Sequence, residues 1–297
     1  MQNALFKKLK AKRAADEDRS VKMDKEHKTV LIVLCVIFMI YSVSLMFPFV
    51  WMFFNSVKDK VDFRYRPTEF PTEWHFSNYI VIFEEYNIFE MLGNSLILCL
   101  AIPTVSAIST SCMAYALSRF KFRGRNFFFY LAISTMFISI EGGLASQYKL
   151  MYDLDLIDSH FGVILKSASG VGFNFLLMHS IFSGISETYS EAAEIDGASN
   201  FRVFVQIIMP QAMPVVMAIW ILSFIGVWND FSTPYLYLQS HPTISLGLKN
   251  ISDKVAISGD YPKMFATILI TSLPIVLLFL IFQKKIMLIT LGGGLKG

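Results

Sequence analysis

The stretch EAAEIDGASNFRVFVQIIMP at residues 191–210 is a polar interruption between two apolar runs, and it has an internal order of its own. Beginning one turn upstream, Ile185, Tyr189, Ala192 and Ala193 fall at i, i+4, i+7 and i+8, which places them on one face of a short helix. Glu187, Glu191 and Glu194 fall on the opposite face. Ser186 stands in the N-cap position, with Glu187 in the first turn, where the helix dipole favours negative charge. Gly197 stands where a left-handed residue would end the helix. The paired alanines keep their face low, so another protein's surface can approach closely. In the second half, Phe201, Phe204, Val205 and Ile208 recur at i, i+3, i+4 and i+7 and predict an interfacial helix leading into the next apolar run. The pattern predicts a docking helix.

Composition sets the surroundings of that helix. The chain has 297 residues, 54% of them hydrophobic and only 16% charged, with a mean hydropathy of +0.51. A soluble domain carries about a quarter charged residues, so the deficit indicates a membrane protein. Cys35, Cys99 and Cys112 all lie in apolar stretches without metal or redox spacing and read as small buried hydrophobes. A net charge of +3 gives no reason to expect a nucleic-acid partner.

Residues 1–28 form a basic tail with nine lysines and arginines. The uncharged run that follows is too long for a signal-peptide core and is read as a retained membrane helix over 29–57. A mixed-charge excursion occupies 58–87. The second crossing is expected at about 88–118, with Pro103 inside and a row of small residues (Ser106, Ser109, Thr110, Ser111, Cys112, Ala114) suited to close helix packing. The third and fourth are expected at about 126–148 and 161–182, the fifth from just after Pro210 to about 238, and the sixth at 264–282. Six crossings and an all-α fold follow, with a short tail over 286–297. Placing both termini inside puts seventeen basic residues on the inner side and eight on the outer. Cytoplasmic loops are the ones rich in lysine and arginine, so the docking helix faces the cytoplasm.

These residues resemble a known family. EAAEIDGAS with Phe204, Ile207 and Pro210 resembles the cytoplasmic loop of bacterial ATP-binding-cassette importer permeases. Asn94-Ser95, AYALSRFKFRGR at 114–125, FNFLLM at 173–178, Trp228-Asn229 and the closing GGGLKG resemble the maltose-transporter type of carbohydrate permease. EGGL at 141–144 with LDLIDSHFGVIL is similar to the branch handling oligosaccharides or polysaccharide fragments. The family often has proline where Ser186 stands, and a proline in the third helix where this chain has Ile138, Ser139 and Ile140. The resemblance implies a type I importer permease fold over 88–285 in a bacterial cell membrane. It implies four kinds of partner: a second homologous permease forming a heterodimer, two ATPase subunits, an extracytoplasmic solute-binding protein, and membrane lipid. It implies that Glu191, Ala192, Ala193, Asp196, Gly197 and Ala198 couple this chain to the ATPase. No GxxxxGK[ST] phosphate loop occurs, so ATP and Mg belong to the ATPase subunits and this chain binds no cofactor.

The substrate path is sought among polar groups inside the crossings. Glu141, Lys166 and Asp230 all fall in the outer half of the membrane, where an isolated charge costs about 3 kcal/mol and must pair or face water. The expected Glu141–Lys166 contact lines an outward cavity; the alternatives are a purely structural pair or a Lys166 that reaches the interface alone. Trp228 and Asn229, with Phe231, Tyr235 and Tyr237, combine aromatic faces with hydrogen-bonding groups as sugar sites do, and equally as an interfacial belt does. The five histidines are scattered without ligand spacing and no nucleophile motif appears, so a membrane enzyme lacks a catalytic cluster. An ion-coupled secondary transporter, or a permease for a non-sugar solute, remains the alternative; the former would often show an internal repeat, and none is seen.

Overall fold

The computed structural model describes residues 25–137, 143–168 and 170–292, and no strand occurs among them. The chain divides into two units, residues 1–54 and 55–297. Helix α1, Lys25–Ser56, belongs almost wholly to the first; its most apolar window has no buried residue. Among the described residues, four helical spans are long and apolar enough to cross a membrane: Lys28–Ser56, Ile88–Arg119, Asn200–Asn229 and Tyr261–Gln283.

The second unit opens with α2 (Lys60–Tyr65) and α3 (Ser77–Glu85), folded around one lysine. Lys58 is 0% exposed, and its Nζ donates to the carbonyls of Arg66 at 2.6 Å and Glu69 at 2.7 Å. Asn78 Nδ2 donates to Ser56 O and Lys58 O, both at 2.9 Å, and His75 N to Val57 O at 2.7 Å. Asp59 starts α2 by accepting from Val61 N. Lys58, counted from sequence as one of the outer charges, is thus an internal pin of this segment.

Helix α4, Ile88–Arg119, is the long element against which much of the second unit packs. Its row of small residues does what the sequence predicts: Thr110, Ser111 and Ala114 are buried, and Ser109 Oγ donates to Ala168 O at 2.9 Å. Cys99 is buried on the same helix, but Cys112 and Cys35 are exposed, and all three are free.

The stretches where the sequence predicts a third and a fourth crossing do not form single helices. The first of them holds α5, Arg125–Ser134, and α6, Leu144–Asp153; the second holds α7, His160–Ser167, and α8, Phe173–Gly184. Each is too short at ~1.5 Å per residue to span a ~30 Å core alone. Gly172 accounts for the second break: its φ of +94° and ψ of −155° is a conformation essentially restricted to glycine. Nearby, a Cβ on Gly170 would lie 3.0 Å from the Ser109 carbonyl carbon, so the break also rests directly on the α4 backbone. Gly162 in α7 is tighter still, since a Cβ would fall 2.3 Å from Leu156 O. Gly162→Ala is expected to destabilise the protein by about 1–3 kcal/mol, because backbone rather than a flexible side chain must move. Thermal unfolding of the purified chain in detergent checks this, and an unchanged midpoint would refute it.

Beyond α9 (Thr188–Ile195) and α10 (Asn200–Val203), a π-helical turn at Phe204–Ile208 runs into α11 at Met209–Asn229. The continuous helical span that contains Pro210 therefore begins ten residues before it, at Asn200. Proline has no N–H to offer and crowds the carbonyl four residues back. The widened turn lies where Pro210 would strain an α-helix, and Met209 N bonds back five residues to Phe204 O. The wider turn also shifts the buried face. Val203, Phe204 and Ile208 are buried, whereas Phe201 is 75% and Val205 46% exposed, so the stripe expected from an α-helical period is corrected.

Helices α12 (Ser232–Tyr237), α13 (Ile244–Ser258) and α14 (Tyr261–Gly292) complete the chain. No helix was expected from sequence at α13. It packs on α4, α11 and α14 through Ile244, Leu246, Gly247, Ile251 and Val255. Asn94 Nδ2 donates to Pro242 O at 3.1 Å, and Ser95 Oγ accepts from Ile244 N at 2.8 Å. The Asn94-Ser95 pair at the start of α4 thus holds the first turn of α13.

Candidate functional site

Two places in the second unit carry chemistry: the α9 loop, and a cavity between α11, α13 and α14. In the loop, the stop at Gly197 has a defined geometry. Gly197 has φ +77°, its N–H donates to Glu194 O at 3.0 Å, and Ala198 N donates to Ala193 O at 2.9 Å. This crossed pair of bonds closes a helix with a left-handed residue just past its end. The start differs from expectation. Glu187 takes the cap position in a helical conformation, and α9 begins at Thr188. Ser186 Oγ is engaged in a local turn, donating to Thr188 Oγ1 at 3.1 Å and accepting from Thr188 N at 3.4 Å. Ser199 then caps α10 by accepting from Arg202 N.

The two alanines part company. Ala193 is buried in a core cluster with Tyr115, Phe182 and Phe204, and Ile185 and Ala198 pack against that cluster. Ala192 is exposed with Glu191, Glu194, Asp196 and Gly197. Tyr189, placed by its spacing on one face with the two alanines, is 55% exposed, and Ile195 is 87% exposed. The surface that α9 turns outward is therefore Thr188, Glu191, Ala192 and Ile195, at i, i+3, i+4 and i+7. An exposed isoleucine framed by carboxylates and a small alanine can enter a partner's apolar cleft.

The end of α4 supports this loop in a way the sequence does not reveal. Arg119 Nη2 donates to Ile185 O at 2.5 Å, just upstream of α9. Arg125 donates to Leu117 O at 2.6 Å and Ser118 O at 3.2 Å, satisfying carbonyls that the helix end leaves open. Two of the four basic residues in RFKFRGR are thus spent on backbone carbonyls, while Lys121 and Arg123 stay exposed.

The second place is a cavity of about 500 Å³ lined by Trp228, Asn229 and Phe231, by Ser245, Lys249 and Ser252 of α13, and by Thr271 and Ser272 of α14, among others. Trp228 is 5% exposed and stacks on Phe224 at 6.2 Å with 9° between the ring planes. Asn229 Nδ2 donates to Ile225 O at 2.8 Å. Lys249 is neutralised by Asp253 at 2.6 Å. Asp230 lies at the end of α11 but is occupied: Oδ1 accepts from Ser232 N at 2.9 Å and Thr233 N at 3.1 Å, starting α12.

Lys166 is not beside this cavity's lining. Its Nζ lies 5.0 Å from the centre of the Tyr237 ring, a cation–π contact. Glu141 lies outside the described residues. Tyr237 is 1% exposed, which removes it from an interfacial belt, whereas Tyr235 is 55% exposed. On the same side, Asp158 Oδ1 accepts from Ser240 N at 3.0 Å, and Asp158 N donates to Tyr237 O at 2.8 Å, joining the loops before α7 and after α12. The Ser240 hydrogen bonds hold the Asp158 carboxyl below the usual range, with the His241 and His160 side chains adding to the effect.

Comparison with known proteins now places the chain. A permease protein of an arabinooligosaccharides transport system, AraQ of Bacillus subtilis, is 29% identical, with 90% of this chain and 96% of that protein covered. A permease protein of a diacetylchitobiose uptake system, NgcG of Streptomyces coelicolor, is 27% identical, with 83% of each chain covered. Among solved structures, a chain of a bacterial ABC transporter involved in the import of the acidic polysaccharide alginate superposes with a TM-score of 0.76. That match covers 88% of this chain and 98% of the other at 24% identity, and it shows a shared fold. Residues 29–286 match the family described as the inner membrane component of binding-protein-dependent transport systems. The chain belongs to that family: it is a multi-pass translocation component of the membrane, working with a solute-binding protein, and not an enzyme.

Proposed function

We propose that this chain is the permease subunit of an ATP-driven importer that moves a carbohydrate, an oligosaccharide or polysaccharide fragment, across a bacterial cell membrane. Two relatives that serve arabinooligosaccharides and diacetylchitobiose support the substrate class. The cavity beside Trp228 suits it chemically, with an aromatic wall and the hydroxyls of Ser245, Ser252, Thr271 and Ser272 next to Asn229. Trp228 and Asn229 are its contact residues; Asp230 shapes the wall through the turn it caps.

In this reading α1, α4, α11 and α14 each cross the membrane once, and α5 with α6 and α7 with α8 supply two interrupted crossings. Both termini then lie in the cytoplasm, as the excess of basic residues on that side requires. Helix α9 becomes the coupling helix. Glu191, Ala192, Asp196 and Gly197 dock it in a cleft of an ATPase subunit, which binds ATP and Mg, while Ala193 and Ala198 seat it on this chain's own core. A second homologous permease completes the heterodimer, and two ATPase subunits serve the pair. The observation that carries the docking role is the outward face of an eight-residue helix, with Ile195 87% exposed, anchored from behind by buried Ala193.

The test is uptake of a labelled oligosaccharide into proteoliposomes holding the full complex and its binding protein. Uptake should require ATP and persist when ion gradients are collapsed. Uptake driven by an ion gradient without ATP would overturn the reading.

A further inference from the structure

The docking role assigned to α9 leaves open where its movement goes. Helix α11 is joined to it through the chain, but a second route exists. Tyr115 and Arg119 stand at i and i+4 in the last turns of α4, on one face. Arg119 Nη2 holds Ile185 O, which precedes α9. Tyr115 is 9% exposed and packs on Phe204 with ring centres 4.6 Å apart; Phe204 follows α10 and opens the π-helical turn. Phe182, at the end of α8, closes the cluster at 6.1 Å from Tyr115 and 6.3 Å from Phe204. One face of α4 therefore grips the docking segment on both flanks, while the outward residues of α9 remain exposed.

We propose that Tyr115 and Arg119 are positioning residues that pass the displacement of α9 to α4, and through α4 to the helices packed along it. The inference rests on α9 being the ATPase-docking helix. A guanidinium holding a backbone carbonyl resists both pulling and sliding. Two rings in tilted contact, 33° apart, transmit a push but not a pull. Together the two contacts bracket the segment, so a tilt of α9 moves α4 rather than being absorbed in its flanking turns. Helix α4 also holds the first turn of α13 through Asn94 and Ser95, and α13 lines the cavity beside Trp228. The flanks of α9 and the first turn of α13 are thus held by opposite ends of one helix.

The experiment uses the reconstituted full complex, with uptake and ATP hydrolysis measured in the same vesicles. Arg119→Ala and Tyr115→Leu break the two contacts; Arg119→Lys and Tyr115→Phe keep a donor and a ring. Ile195→Cys, carried in every background, reports docking by cross-linking to a cysteine in the ATPase cleft. The expected result is that cross-linking and hydrolysis persist in the broken variants while substrate moved per ATP falls about tenfold or more. The lysine and phenylalanine variants should restore most of it. The inference is overturned if the ratio stays unchanged with cross-linking intact, if the conservative variants fail as badly, or if the broken variants lose the complex. Absence of the cross-link in the otherwise unaltered complex would instead overturn the docking role of α9.

Discussion

Replacing Gly197 by valine is expected to abolish uptake while leaving the chain inserted in the membrane. Gly197 has φ +77°, a region that a β-branched residue enters at a cost of about 1–3 kcal/mol. Nothing lies within 4 Å of a Cβ placed there, so the effect comes from backbone conformation and not from a clash. Relieving the strain would require φ to reverse, which breaks the bonds from Gly197 to Glu194 O and from Ala198 to Ala193 O. An eight-residue helix has no second turn to spare, and its docking face is set by that closure. Gly197→Asn is the control, because asparagine tolerates the left-handed region and should keep most of the uptake. Gly184→Ala should also be silent, since Gly184 lies at a helix end with open space around it and no left-handed φ. Uptake and copurification of the ATPase read the effect; normal values of both for the valine variant would count against it.

What could be read from residues, and what could not, divides along physical lines. Helices α1, α4, α11 and α14 were legible because an uncharged run of this length has few other stable forms. The closure at Gly197 was legible because a glycine after a helical period has a conformational reason to be there. The breaks between α5 and α6 and between α7 and α8 were not, since apolar content does not report backbone direction. Gly170 and Gly172 carried the signal for the second, but only their close approach to Ser109 and the φ of Gly172 give it meaning. The stripe Phe201, Phe204, Val205 and Ile208 failed for a different reason. It assumed 3.6 residues per turn across a segment where Pro210 accompanies a π-helical turn. Helix α13 was missed because its polar residues resemble a loop; Ile244, Gly247, Ile251 and Val255, spaced by three and four, were the sign. The Arg119–Ile185 bond spans 66 residues, and no local pattern encodes it.

Lys58→Met is expected to unfold the segment between α1 and α3 locally, at a cost of about 2–4 kcal/mol. The argument starts from burial. Lys58 is 0% exposed, yet no carboxylate lies within ion-pair distance of its Nζ among the described residues; its partners are the carbonyls of Arg66 and Glu69. Methionine matches the stem in volume and removes the charge, but it loses two hydrogen bonds from a charged donor to the carbonyls of Arg66 and Glu69, each worth about 1.5–3 kcal/mol. Regaining the cost of desolvating an ammonium offsets part of that loss, which sets the range. The pH dependence has a defined sign. Burial lowers the Lys58 pKa from its ordinary value, with Asp62 and Glu69 drawing it back up. The native state thus holds this proton less firmly than the unfolded chain. Its contribution is least favourable below the lowered value and improves as pH rises towards about 10.5, where the unfolded lysine also becomes neutral. A neutral amine still has two N–H groups for the two carbonyls, so mild alkali should tighten the wild-type segment and leave Lys58→Met unaffected. Hydrogen exchange of residues 57–78 across pH, in both proteins, reads this directly. Equal protection in the two at neutral pH would show that the segment holds without its lysine.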